Sequence, residues 1–184
     1  MNDSQKSIIK ICVWITIILF MIRFLFEWKI KATELSIYDI YGYIGESLTI
    51  ALLFTGFYEK IIWRINPFEK TPRLSRKYTG TIKSSYNSLQ RNVTLEIKQS
   101  LLSIHVTLIS DESKSMSLSA SIDEIMDIPQ LTYCYLNTPK SEFRDKSAIH
   151  YGTAILCLSN PKELTGQYYT DRKTIGDMHL FAKK

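Results

Sequence analysis

"RNVTLEIKQSLLSIHVTLIS", residues 91–110, decides the fold. Val93, Leu95 and Ile97 alternate with Thr94, Glu96 and Lys98; beyond the turn "KQSLL", Ile104, Val106 and Leu108 alternate with His105 and Thr107. A period of two puts one face of each segment in a core and the other in water, the signature of paired strands. The same reading extends outward. Met116, Leu118, Ala120 and Ile122 alternate with serines and Asp123 and are expected to share one buried face. Strand runs follow at Leu131–Leu136, Ile149–Leu158, Leu164–Thr170 and Thr174–Ala182, and Tyr78–Ser85 precedes them. Eight antiparallel strands with short turns such as "SDESKS" indicate a small closed barrel or a sandwich. Closure removes the free edges that would aggregate beside a membrane, and an eight-stranded barrel is filled by its own side chains or holds one small ligand.

The chain before Pro67 follows a different rule. Ile8–Trp28 is an apolar span broken by Lys10 and Arg23, and Tyr41–Trp63 is a second span with Tyr41, Tyr43, Tyr58 and Trp63 at its ends, where interfacial aromatics are expected. The polar connection Lys29–Asp39 folds them into a hairpin. A cleaved signal peptide is the rival for the first span, but no small-residue cleavage site follows it. The expected organisation is a two-helix transmembrane hairpin in residues 1–66 (helices about 8–28 and 41–63), a basic tether in 67–77 closed off from the helix by Asn66-Pro67, and an antiparallel β-barrel in 78–184. The fold class is thus a membrane-anchored all-β protein.

The net charge of +5 comes from 23 Lys and Arg against 18 Asp and Glu. Arg64, Lys70, Arg73, Arg76 and Lys77 crowd the end of the second span, whereas Lys29 and Lys31 in the connection stand beside Glu27, Glu34 and Asp39. Basic flanks stay cytoplasmic, so both termini and the barrel are expected in the cytoplasm; attraction to an anionic lipid or phosphate ligand is the other reading of that cluster. Arg23 and Glu46 reach similar depth in an antiparallel hairpin. They form a salt bridge within it, pair between chains on assembly, or snorkel to the headgroups. Ser47, Thr49, Thr55 and Gly56 supply the small or hydroxyl positions that helix association in lipid prefers. Cys12, Cys134 and Cys157 are an odd set, which favours a reducing compartment, with a single Cys134–Cys157 bridge left open.

Catalytic signals are lacking. His105, His150 and His179 fall on three strands without metal-ligand spacing, there is no glycine-rich phosphate loop, and adjacent Asp123 and Glu124 point to opposite faces of a strand. The sequence reads as a binding protein, with no metal or cofactor and no enzyme activity expected.

"GQYYTDRKTIG", residues 166–176, spaces Tyr168, Thr170, Arg172 and Thr174 two apart. It is either a row of ligand-binding groups or a charged hairpin turn whose Gly166 and Gly176, lying close across the pair, let a tight barrel close. Two apolar spans, a basic tether, eight strands and the ending "LTGQYYTDRKTIGDMHL" (164–180) together resemble the SMODS-associated two-transmembrane, β-strand-rich family, membrane effectors of the cyclic-oligonucleotide-based antiphage signalling system (CBASS). The pattern Gly166, Tyr168, Thr170, Arg172, Thr174, Gly176 is the most specific part. The resemblance implies that a partner nucleotidyltransferase makes a cyclic dinucleotide on phage infection and that the barrel binds it. The effector then forms a homo-oligomer, and its hairpins disrupt the lipid bilayer of the bacterial inner membrane in an abortive infection. On that basis Arg172 and Lys83 are candidates to pair with phosphate oxygens, Thr170 and Thr174 to donate hydrogen bonds, and Tyr168, Tyr133, Tyr135 or Tyr151 to stack on bases. Tyr133 and Tyr135 share one strand face and Cys134 takes the other. Arg23 and Glu46, mispaired in a monomer, would favour assembly. A lipocalin-like barrel for an apolar ligand, with Arg172 pointing outward, and a filled docking module are the competing readings.

Overall fold

The computed structural model describes residues 3–30, 36–85 and 90–183; Lys31 and Glu34 of the helix connection lie outside them. The chain forms two units. One runs to Glu69 and includes Ser100–Leu102; the other comprises Lys70–Gln99 and Ser103 onward.

In the first unit, α1 (Asp3–Ile30) and α2 (Ile37–Lys60) are both long and apolar enough to cross a membrane. Helix α2 begins four residues before the expected Tyr41 because Ser36 caps it. The Ser36 side chain accepts from the Tyr38 amide, and Asp39 accepts from the Ser36 amide at 2.9 Å. It ends at Lys60 and passes into a 3-10 turn, Ile62–Arg64. Trp63 is therefore not an interfacial anchor: it is fully buried in a cluster with Ile8 and Leu101. Tyr43, Ser47, Ala51 and Thr55 recur every fourth residue and form the buried stripe of α2. Thr49 and Gly56 lie outside that stripe and are exposed.

The second unit is a closed barrel of eight antiparallel strands, each paired with its neighbours in sequence and β1 with β8. They are β1 (Lys77–Ser84), β2 (Gln90–Gln99), β3 (Ile104–Ser110), β4 (Ser113–Ile125), β5 (Ile128–Pro139), β6 (His150–Asn160), β7 (Glu163–Thr170) and β8 (Ile175–Ala182). Inward residues fill one half of the barrel: Leu95, Val106, Leu131, Leu156, Leu164 and Leu180 are essentially inaccessible. Tyr78 plugs this end; its hydroxyl donates to the Pro161 carbonyl at 2.7 Å and accepts from the Ser75 amide at 2.9 Å. Lys70–Arg76, most of the stretch read as a basic tether, is docked here. Leu74 is buried, its amide donates to Gln99 Oε1 at 3.0 Å, and the Arg76 carbonyl accepts from the Ile97 amide.

Strand β4 departs from its expected pattern. Pairing with β5 shifts register between Ser117 and Ser119, and the extra residue inverts the alternation. Ser115 faces inward before the shift, and Ala120 and Ile122 pack on the core after it, so Met116 and Leu118 are 47% and 64% exposed on the outside. Where the bulge interrupts the β3–β4 ladder, the Ser117 hydroxyl accepts from the Val106 amide at 2.9 Å. Gly166 and Gly176 do not face each other; Gly166 is opposite Met178 and Gly176 opposite Tyr168. The three cysteines are free. Cys134 pairs with Thr153 and Cys157 with Gln130, so the two are separated by about 13 Å along the strands, beyond disulfide reach.

Candidate functional site

The other half of the barrel is open. Strand alternation carries inward side chains toward this end, but they become shorter and more polar: Ser84 on β1, Ser110 on β3, Ser113 and Ser115 on β4, Asn137 on β5, Thr170 on β7. Together with the loops they surround a cavity of about 630 Å³, a size suited to a small ligand.

Three tyrosines form its walls. Tyr133 and Tyr135 stand two apart on β5, with ring centroids 5.8 Å apart, and Tyr168 comes from β7. Two glycines seat them. A Cβ on Gly152 would lie 2.4 Å from the Tyr135 hydroxyl end, and one on Gly176 would lie 2.5 Å from the Tyr168 ring. Burial raises the Tyr133 and Tyr135 phenols far above the ordinary tyrosine value, and for Tyr135 the neighbouring Tyr168 and Asp171 add to the rise. Both therefore stay neutral hydrogen-bonding groups. The Tyr133 hydroxyl is shut off from solvent and has no partner among the described residues. Four residues further along β5, toward the open end, Asn137 is only 6% exposed and its Oδ1 accepts from Ser115 Oγ at 2.8 Å.

Cations are confined to the rim. Arg91 pairs with Glu112, Arg172 donates to Ser147 Oγ at 2.8 Å, and Lys146 comes from the loop after a 3-10 turn at Ser141–Phe143. The β7–β8 turn that carries Arg172 is pinned by its threonines. Their hydroxyls are 2.7 Å apart, the Thr170 amide donates to the Thr174 carbonyl, and Lys173 between them takes the left-handed conformation at φ 59°. The row Tyr168, Thr170, Arg172, Thr174 is thus both a tight turn and part of the cavity lining.

Of the residues singled out in the sequence, Tyr133, Tyr135, Tyr168, Thr170, Arg172 and Thr174 converge on this cavity. Lys83 and Tyr151 do not. Lys83 lies between inward Ile82 and Ser84, so its exposed side chain faces out beside Asp177, and Tyr151 is 58% exposed on the outer face. Strand parity excludes both from the interior. Arg23 and Glu46 belong to the helical unit and meet within one hairpin. Arg23 Nε lies 3.5 Å from Glu46 Oε2, its Nη1 is 2.9 Å from Glu27, and its guanidinium sits 5.3 Å above the Tyr43 ring centre. The charges are not mispaired in a single chain. Sequence reading missed Arg91, Glu112, Ser115, Asn137 and Lys146. Asn137 was within reach, because it continues the inward series Leu131, Tyr133, Tyr135; the rim residues depend on loops that periodicity does not place.

Comparison with known proteins agrees with this architecture. A family model described as "Cap15, cyclic dinucleotide receptor domain" matches residues 69–182. The CD-NTase-associated protein 15 of Staphylococcus schleiferi is 34% identical over 184 residues, which covers 98% of either chain. The matched segment contains all eight strands and the mouth they enclose, and with near full-length similarity to that relative it places the chain in the Cap15 cyclic dinucleotide receptor family.

Proposed function

We propose that this protein is a CBASS effector that binds a cyclic dinucleotide, made by a partner nucleotidyltransferase, in the open half of its barrel. The observation that carries the reading is the division of the cavity: neutral aromatic and amide groups inside, guanidinium and ammonium groups at the rim. A cyclic dinucleotide has the same division, with two planar bases and a ring bearing two phosphodiester charges. Arg91, Lys146 and Arg172 take the phosphates as charge-assisted hydrogen-bond donors, and Tyr135 and Tyr168 supply faces for bases. Thr170 and Thr174 hold the turn that presents Arg172. The family description and the neutral, non-nucleophilic character of the buried phenols favour a receptor over an enzyme.

The helical unit serves as the anchor. Its exposed apolar residues, such as Trp14, Ile18, Leu25, Leu53 and Phe57, suit a lipid surround, and the Lys/Arg bias of the flanks puts the termini and the barrel on the cytoplasmic side of the bacterial membrane. Binding shifts the population toward a homo-oligomer in which hairpins meet at high local concentration and disrupt the bilayer. In that assembly Arg23 and Glu46 exchange their partners within the hairpin for partners on neighbouring chains. An apolar, lipocalin-like ligand is disfavoured by Arg172 at the mouth, and a filled docking module by the cavity itself.

The test is titration of the full chain, in detergent micelles or nanodiscs, with a panel of cyclic dinucleotides. Tight binding of at least one member, weakened at least tenfold by Arg172→Ala, is expected. Binding of none of them would sink the reading.

A further inference from the structure

Resting on that reading, we propose that the barrel carries an assembly surface of its own: the outer face of β5, β6 and β7 at the open half docks against the same face of a second copy of this chain, and the turn that bears Arg172 couples that contact to the ligand.

The face differs from the rest of the barrel exterior. Strand β5 has no charged residue, and β6 has none besides His150, which lines the cavity. On the opposite side, β1 and β2 turn Lys77, Lys83, Glu96 and Lys98 to water, as a soluble exterior does. Register joins the apolar side chains of the uncharged face into one patch. Met116, Leu136 and Tyr151 stand side by side across β4, β5 and β6. Tyr169 on β7 lies diagonally between Tyr151 and Ile155 of β6 and directly opposite Ile175 of β8. Tyr151, Tyr169 and Ile175 are 58%, 49% and 61% exposed. With Met116, Leu136 and Ile155 they offer about 600 Å² of mostly apolar surface, enough for an interface of about 1,200 Å² between two copies, the lower end for specific association.

A second copy is the partner this chemistry fits. Each chain has a net charge of +5, so two copies approach best through a face without charge, and anchoring in one membrane raises their local concentration. Tyrosine and methionine with charged groups excluded is the composition of an interface core. Thr132, Thr153 and Gln167 stand among the apolar side chains, which suits hydrogen bonding across a protein contact and not a hydrocarbon surround. The face is also continuous with the ligand site. Tyr169 and Ile175 flank the Thr170–Thr174 turn that presents Arg172. Asp171 in that turn accepts from the Tyr151 amide at 3.1 Å and donates its own amide to the Tyr151 carbonyl at 3.1 Å. A phosphate that holds Arg172 holds the turn, and with it Tyr151, Tyr169 and Ile175, so ligand favours the arrangement of the face that docks.

The experiment uses the full chain in detergent micelles with the all-guanine, all-uracil, all-adenine and mixed cyclic dinucleotides. Titration reads ring binding, sedimentation reads self-association, and maleimide labelling followed by mass spectrometry reads Cys134, which is exposed within the face. The tightest-binding ring should drive association of the wild type and shield Cys134. Ile155→Lys combined with Tyr169→Lys puts like charges across the contact. It should leave ring affinity within about twofold, weaken association about tenfold and abolish the shielding. Thr79→Lys, on the opposite side of the barrel, should behave as wild type. Association of the double lysine variant at wild-type strength would overturn the inference, and so would equal weakening by Thr79→Lys, which would make the effect one of net charge. A wild-type chain that binds a ring yet stays monomeric would overturn it likewise; shielding of Cys134 in that monomer would assign the face to lipid or detergent. Failure to bind any ring would remove the receptor reading first, and the inference with it.

Discussion

Two alanine substitutions that look alike on paper should behave in opposite ways. At Gly166 a Cβ would sit 2.0 Å from the Ile155 carbonyl oxygen and 2.9 Å from Leu156 Cα, well inside the 3.4 Å at which ordinary contact begins. Both atoms are main chain of β6, held by the β6–β7 ladder, and cannot step aside without opening the barrel. Such overpacking costs about 3 kcal/mol, against which the stiffer unfolded chain returns about 1 kcal/mol. The net loss of about 2 kcal/mol lowers the melting temperature of a barrel this size by roughly 8 °C. At Gly152 the close atoms, at 2.4 Å, are the ring end and hydroxyl of Tyr135, which borders the cavity. That ring can swing, so the net change in stability should be within about 1 kcal/mol. The swing carries Tyr135 off its seat, and cyclic dinucleotide affinity should fall at least tenfold. Thermal unfolding of the full chain in detergent, followed by tyrosine circular dichroism, gives the first quantity, and titration the second. If Gly166→Ala melted with the wild type, or Gly152→Ala bound ligand normally, the argument from close approach would be wrong.

Glu112→Gln should tighten ligand binding by about threefold at low salt, because it releases Arg91 to the phosphates, and the gain should shrink as salt rises; unchanged or weaker affinity would mean that the Arg91–Glu112 pair is itself the binding element. Barrel stability should hold up to about pH 10, the ordinary phenol value, and fall above it. The buried Tyr133 and Tyr135 keep their protons there while the unfolded chain releases its own; Tyr133→Phe should flatten the alkaline slope in a series of melts. The Cys157 thiol and the Ser159 hydroxyl lie 3.1 Å apart, and hydrogen bonds from the Ser159 side chain and backbone lower the thiol pKa, so iodoacetamide should label Cys157 before Cys134 near pH 8, and Ser159→Ala should reduce the lead. Finally, Arg23→Leu with Glu46→Leu should reduce ligand-induced oligomerisation, read by crosslinking in membranes, and reduce toxicity in cells. Unchanged crosslinking and toxicity would leave the pair a purely local contact.

Much of the architecture was legible in the sequence because each solvent imposes its own period. The helical spans announce themselves by length, and the strands by alternation; where the expectation slipped, a short-range contact had overridden the coarse pattern. Ser36 and Asp39 start α2 early because a cap satisfies amides that hydropathy does not register. Trp63 is a large aromatic near the end of a span, the usual mark of an interface, yet burial against Ile8 and Leu101 uses it as core. The docking of Leu74 could not be foreseen either, since a single buried leucine in a basic stretch has no period.

The site was legible only as far as strand parity holds. Parity places Tyr133, Tyr135 and Asn137 on the inner face of β5, and the same rule, applied to Lys83 between Ile82 and Ser84 and to Tyr151 between His150 and Gly152, would have sent both outward. Those two candidates were chosen for their chemistry, a cation for phosphate and an aromatic for a base, without asking which way the backbone points them. In β4 parity itself fails, because the bulge between Ser117 and Ser119 adds one residue. Its consequence is functional as well as geometric. With Met116 and Leu118 turned out, Ser115 is turned in, and it is Ser115 that hydrogen-bonds the Asn137 oxygen on the cavity wall. An unbroken alternation, read from Met116 to Ile122, would have put a methionine where the cavity wall now has a hydroxyl. The irregular residue pair that sequence reasoning could not see is therefore the one that makes the wall of the open half polar.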